Sequence, residues 1–257
     1  MDAIEEGQSK FLIRTVDSDV VVLAVAMMQK VKVEEIWVAF GTGKRFKYIA
    51  IHELHHSLGP RKAITLPFFH AFTGCDTVSY FHSKGKKTCW KIWNLLDEAT
   101  TSFEALLKNP MTFEAHMPTI EHFVVLLYDW ASADMDVNAA RRILFAQKGR
   151  EIDKIPPTRD ALVLHTKRAI IQASYCWHQS EKRELKLPSP GDWGWTKEGS
   201  DNSQWLPQWT TLPPVADSCA ELLKCGCTKG CAKNCRCRKA ELQCTALCKC
   251  DGQCSSE

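Results

Sequence analysis

The stretch Phe11-Leu-Ile-Arg-Thr-Val-Asp17-Ser-Asp19-Val-Val-Val-Leu-Ala-Val-Ala-Met-Met28 decides how the front of this chain folds. Its first six residues form a short, mostly apolar run that reads as a buried strand. From Val20, apolar residues return at Leu23, Ala24, Met27 and Val31, a helical spacing. Ile36-Trp-Val-Ala-Phe40 reads as a second strand and Gly41-Thr-Gly-Lys44 as a turn. Residues 46–51 return as a third strand in a hairpin. The pattern predicts an α/β domain, with Asp17 and Asp19 at the carboxyl edge of its sheet, where α/β sites lie. Each aspartate also has a simpler use, as a cap on the helix that follows the strand.

Beyond residue 51 the pattern turns helical. Gly59-Pro60 predicts one break, and helices are expected over 63–72, 86–96 and 102–108. Thr101 with Glu104 three residues on forms a capping box for the last of these. Ile120, Phe123, Val124 and Leu127 mark another helix. Asp136 caps a further one that runs to Gln147 and closes at Gly149. Pro156-Pro157 punctuates the chain before a helix over 159–177. From Leu187, prolines alternate with Trp193, Trp195, Trp205 and Trp209. This segment is expected to be a linker with little regular structure, its tryptophans lying against the α/β body or docking a protein partner. The expected division is an α/β and helical domain over 1–150, a helix and Pro/Trp-rich linker over 151–218, and a cysteine-rich module over 219–257.

Composition bounds the function. With 45% hydrophobic and 25% charged residues in 257, the chain is globular rather than disordered. The run from Phe11 to Met28 is interrupted by Arg14, Asp17 and Asp19, so no membrane span is expected. The opening Met-Asp-Ala-Ile-Glu-Glu lacks a basic, apolar leader. A formal charge of +3 does not by itself announce nucleic-acid binding. Nine of the 13 cysteines fall between Cys225 and Cys254, and in an intracellular chain this density favours metal thiolates over disulfides.

The cysteine spacing is Cys225-x-Cys227-x3-Cys231-x3-Cys235-x-Cys237-x6-Cys244-x3-Cys248-x-Cys250-x3-Cys254. Zinc takes four thiolates in a tetrahedron, and nine thiolates satisfy three ions when three of them bridge. The ionised cluster would carry three net negative charges. Lys224, Lys229, Lys233, Arg236, Arg238 and Lys239 surround it, leaving a positive outer face. The bland alternative is a zinc-stapled cap that only folds the tail.

This module resembles the tesmin-like CXC domain, a cysteine-rich domain of chromatin and DNA-binding proteins. The resemblance implies three zinc ions, DNA as partner and a nuclear location. Two features differ from the best-known members: there is a single copy, and Asn234 stands before the fourth cysteine where they place a groove-reading Tyr. Zinc binding and weak, sequence-tolerant DNA contact are therefore the expectation.

A second acidic signal follows in Leu66-Pro-Phe-Phe-His-Ala-Phe-Thr-Gly74-Cys75-Asp76, then Lys84-Gly-Lys-Lys87. Three carboxylates drawn together would take magnesium or manganese, as in phosphodiester cleavage. The order of strand, Asp-x-Asp, helix, Gly-x-Asp and glycine-lysine hairpin over residues 11–93 resembles the flap-endonuclease branch of the PIN-like nucleases. That likeness implies that Asp17, Asp19 and Asp76 hold divalent metal and that the hairpin, with Lys86 and Lys87, grips a DNA backbone. The family's earlier acidic strands have no counterpart in the ten residues before Phe11. The expectation is a truncated, degenerate nuclease domain, with an active divalent-metal nuclease, completed by an upstream segment, as the alternative. The whole arrangement is similar to invertebrate CXC proteins of mobile-element type.

Two further motifs lack the context their chemistry needs. His52-Glu-Leu-His-His56 fits the zincin pattern, but Gly59-Pro60 ends its helix within a turn, so a surface helix is expected. Gly41-Thr-Gly43-Lys44 lacks the Walker glycine at Val38 and the hydroxyl at Arg45.

Overall fold

The computed structural model describes residues 4, 6–146, 152–180, 182, 184–198, 204–212, 225–228, 231, 234–239, 243–244 and 248–250. The opening strand and helix form as the sequence predicts. Strand β1 (Lys10–Thr15) leads into α1 (Ser18–Met27) and then into β2 (Glu35–Phe40), which pairs with β1 in parallel, Leu12 opposite Trp37. Strand β3 (Lys47–Ala50) returns antiparallel to β2, with Val38 opposite Ile49. The sheet order is β1-β2-β3. Alternation along β1 and β2 sends Phe11, Ile13, Ile36 and Val38 to one face, where they meet Ala24 and Val25 of α1 and Ala63 of the next helix.

That helix, α2 (Ile51–Phe72), carries the expected break. Gly59 sits at φ 73° and ψ 161°, a backbone state open to glycine, and Pro60 restarts the helix beyond the kink. The second half of α2 leaves the sheet and enters a larger helical core. Around it pack α3 (Lys86–Leu95), α4 (Asp97–Lys108), α5 (Phe113–Tyr128), α6 (Val137–Ala146) and α7 (Arg159–Ile170). Phe68 stacks on Phe103 at 4.9 Å, Phe69 on Trp93 at 4.5 Å, and Phe72 meets Phe123 edge-on at 5.9 Å. Each such fully buried side chain contributes about 1.5–3 kcal/mol of transfer free energy. Leu162, Ala169 and Ile170 of α7 belong to the same core, so the chain on both sides of Pro156-Pro157 packs into one body.

The capping signals operate at one helix and fail at another. Asp136 caps α6, accepting from the Ala139 N–H at 2.6 Å. Gln147 and Gly149 lie outside the described residues. Thr101, by contrast, is no cap: α4 begins at Asp97, and Thr101 accepts from Arg61 Nη2 at 2.9 Å. Burial of Ala99 and Thr100 draws the earlier turn into the helix. The tryptophan segment is more ordered than expected. Its strands β4 (Trp195–Glu198) and β5 (Gln204–Pro207) pair antiparallel. Trp193 is buried against Tyr175 at 5.3 Å and Phe113 at 6.3 Å, on the helical body rather than on the sheet. Arg168 fixes the segment by donating from Nη1 to the carbonyls of Gly194 and Gln208. No described helix is long and apolar enough to cross a membrane.

Candidate functional site

The acidic edge is built by β1, α1 and the end of α2. Asp17 leaves β1 in an extended conformation and caps α1, its Oδ1 accepting from the Asp19 N–H at 2.8 Å. Its own N–H donates to Thr15 Oγ1 at 3.0 Å. Asp19 Oδ1 accepts from His70 Nε2 at 2.8 Å, a contact across 51 residues of sequence. His70 is buried, and burial first, the Lys86 ammonium second, hold its imidazole below the ordinary value against the pull of Asp19 and Asp17. The neutral ring therefore donates Nε2–H to the carboxylate.

Lys86 is itself drawn inward. Its Nζ donates to the carbonyls of His70 at 2.8 Å and Gly74 at 2.5 Å, and to Thr73 Oγ1 at 3.1 Å, closing the C-terminus of α2. Burial lowers its pKa while Cys75, Cys89 and Asp19 work against that. Lys87, one residue on, is exposed. Asp76 is exposed on the turn after α2, where Cys75 and Val78 form an isolated bridge. A groove of about 400 Å3 runs past Gly74, Cys75, Tyr80, Lys84, Gly85 and Lys86. Among the described residues, the sets of three or more ligand atoms lying within 4.8 Å of one another are all cysteine; Asp17, Asp19 and Asp76 form no such set. The role of His70 was missed by sequence reasoning. Its signal was an ionisable side chain inside the apolar run Leu66–Phe72.

The cysteine module presents the opposite situation. Three overlapping quartets of Sγ atoms occur: Cys225, Cys227, Cys231 and Cys235; Cys225, Cys235, Cys237 and Cys244; and Cys225, Cys244, Cys248 and Cys250. Neighbouring sulfurs lie 3.5–3.8 Å apart. A tetrahedral zinc with bonds of about 2.3 Å sets its thiolates roughly 3.8 Å apart, so the spacing fits the ion. A disulfide, at about 2.05 Å, does not fit it.

Titration follows from crowding. Burial, with neighbouring thiols, pushes Cys227 up to about 11 and Cys237 up to about 12, and raises Cys244 further. Cys235 is the exception. Burial opposes its ionisation, yet N–H bonds from Arg238 and Cys237 and its thiol neighbours bring it to about 6. It opens the single-turn helix α8 (Arg236–Lys239), whose N–H groups point at its sulfur. A divalent cation reverses the order, deprotonating every coordinating thiol. Cys254, Lys224, Lys229 and Lys233 lie outside the described residues. Arg236, Arg238 and Lys239 are on α8, the last two exposed.

The zincin-like histidines serve the fold. His52 Nδ1 lies 3.2 Å from the Ile36 carbonyl and His55 Nδ1 2.9 Å from that of Val25, tying α2 to β2 and α1.

No protein-family model, curated protein or solved structure matches this chain. What stands is a mixed α/β fold with a cysteine cluster that could bind zinc.

Proposed function

We propose that this is a zinc-dependent DNA-binding protein of the CXC type, nuclear and mobile-element derived, whose α/β part is a degenerate PIN-like nuclease domain. The observation that carries the zinc reading is the sharing of thiols among the three quartets. Cys225 occurs in all three, Cys235 in the first and second, and Cys244 in the second and third; because a bridging thiolate holds two ions, we assign Cys225 to the first and third. With these as bridges, Cys227 and Cys231 complete one ion, and Cys248 and Cys250 another. Cys237 leaves one place on the remaining ion, which the count of nine cysteines assigns to Cys254. Three zinc ions with six terminal and three bridging thiolates result. The ions would supply charge neutralisation and folding energy, while the chain's own cations contact the DNA.

For DNA, the support is cationic chemistry on α8, where Arg236, Arg238 and Lys239 follow one another around the cluster. Lys87 and the Lys84–Gly85 turn offer a second phosphate contact beside the acidic edge. Such contacts are sensitive to salt and tolerant of sequence. The degenerate reading of the nuclease site is supported by the partners of its carboxylates: Asp17 caps α1 and Asp19 holds His70.

The test is binding of the zinc-loaded chain to a duplex at several salt concentrations. Arg238→Glu with Lys239→Glu should weaken all sequences about equally and flatten the log affinity against log salt line by about two. Unchanged binding in the double variant would remove the module as the contact surface.

A further inference from the structure

A cleft of about 370 Å3 lies between the 79–82 loop, the Pro156-Pro157 bend, α7 and the chain after β5. Its volume is in the range of small-ligand sites. Ile155 and Leu164 give it apolar walls. On its open side stand two large aromatic side chains, Tyr80 at 74% and Trp209 at 69% exposure. Rings this exposed contribute little to folding, because most of their apolar area stays in water, although the Arg168 guanidinium lies 5.7 Å from the Trp209 ring. The wall also carries polar groups: Asp153, ion-paired with His82 at 3.3 Å, the His165 and Arg168 side chains, and Tyr128 with Arg141. Tyr128 is buried, and its hydroxyl has no hydrogen-bond partner among the described residues. Among the described residues no polar side-chain atom is sealed from solvent without a partner, so that hydroxyl reaches the open space of the cleft it lines. The Arg141 guanidinium lies beside it and also lines the cleft, one arm donating to the Pro156 carbonyl.

Aromatic rings on the open side and a phenol with a guanidinium within make a site for a planar group carrying an anion. Tyr80 also lines the lysine groove of the acidic edge, so the two cavities adjoin through its ring. Lys84 of that groove lies 4.9 Å from the Tyr128 ring. The geometry points to an unpaired nucleotide of single-stranded DNA, its backbone following Lys84–Lys87 and its base turned over Tyr80 into the cleft against Trp209, with a phosphate at Arg141 and Tyr128. This rests on the DNA-binding reading and adds a second substrate form, single-stranded DNA at the cleft beside duplex at α8. Base stacking on an aromatic side chain contributes about 1–3 kcal/mol and tolerates any base.

The experiment uses the full, zinc-loaded chain with a fluorescent oligothymidylate, its duplex and free thymidine monophosphate. Tyr80 and Trp209 are exposed, so replacing them leaves the fold intact. Tyr80→Ala with Trp209→Ala should weaken oligothymidylate binding at least tenfold while duplex binding through α8 is kept. Tryptophan quenching by the oligonucleotide should shrink in Trp209→Phe. Free monophosphate should compete only at far higher concentration, since it lacks the neighbouring backbone contacts. Competition by the monophosphate at the same concentration as the oligonucleotide would overturn the strand assignment. Oligonucleotide affinity unchanged in the double alanine variant would overturn the cleft and leave DNA binding standing. Failure of both oligonucleotide and duplex to bind would overturn the cleft together with the DNA reading.

Discussion

Two regions of this chain gather side chains that ligate metals, and they differ in what those side chains already touch. At the acidic edge each paired carboxylate has a protein partner: Asp17 holds the Asp19 N–H, and Asp19 holds His70. Positive charge is supplied from inside the protein by Lys86, folded under the end of α2. In the cysteine module the thiols face one another at 3.5–3.8 Å, and mutual proximity with burial suppresses the ionisation of Cys227, Cys237 and Cys244. Thiols crowded at this spacing suit a divalent cation better than carboxylates that already hold protein partners.

The comparison is broken most sharply by metal removal. Apparent binding free energies of structural zinc run to about 10–16 kcal/mol. A strong chelator should therefore unfold the cysteine module while the helical core, held by rings such as Phe68 and Phe103, keeps its circular dichroism and its thermal transition. Bridging sharpens this. Cys225→Ser should lose more than one zinc ion per chain by metal analysis, and Cys227→Ser about one. Equal losses from the two variants would remove Cys225 as a bridge.

The helical core should fail for a different reason. Phe103 is fully buried and touches Phe68, Phe72, Trp93 and Phe123. Phe103→Ala should cost about 3–5 kcal/mol in denaturant unfolding. Its zinc content should stay at the wild-type value, because among the described residues that core and the Cys225–Cys250 cluster share no member.

Acid separates the regions again. His165 is buried and pushed down to about 4 by burial, its Nε2–H donating to the Phe72 carbonyl at 2.8 Å and its Nδ1 accepting from Ser79. Between the ordinary value of about 6.5 and 4, the unfolded state binds the extra proton. The contribution is complete above pH 6.5 and is lost as pH falls toward 4, on the order of 3 kcal/mol. Denaturant midpoints measured across that window should decline in the wild type, and His165→Gln should flatten the slope.

The smallest effect belongs to the acidic edge. Asp17→Ala removes a cap and should cost about 1 kcal/mol, a drop of about 2–4 °C in Tm. Magnesium or manganese should raise the wild-type Tm by less than that, since both carboxylates are already engaged. A rise of several degrees that Asp76→Asn abolishes, or robust magnesium-dependent cleavage lost in Asp17→Asn, would restore a working nuclease site and erase the contrast between the two regions.

The sequence by itself determined the elements whose cause is local. The β1-α1-β2 order, the kink at Gly59-Pro60, the Asp136 cap and the clustering of the C-terminal thiols follow from periodicity, a glycine-proline pair, one short side chain and spacing. Thr101 misled because a capping box is a local preference, and burial of Ala99 and Thr100 outweighed it. Tertiary structure alone decided the rest. It brought His70 to Asp19 across 51 residues, turned Lys86 inward while Lys87 stayed exposed, and laid Trp193 against the helices. It also selected Cys225, Cys235 and Cys244 as the shared thiols. These outcomes depend on which surfaces meet once the chain has closed on itself, and contacts between distant residues leave no period in the sequence.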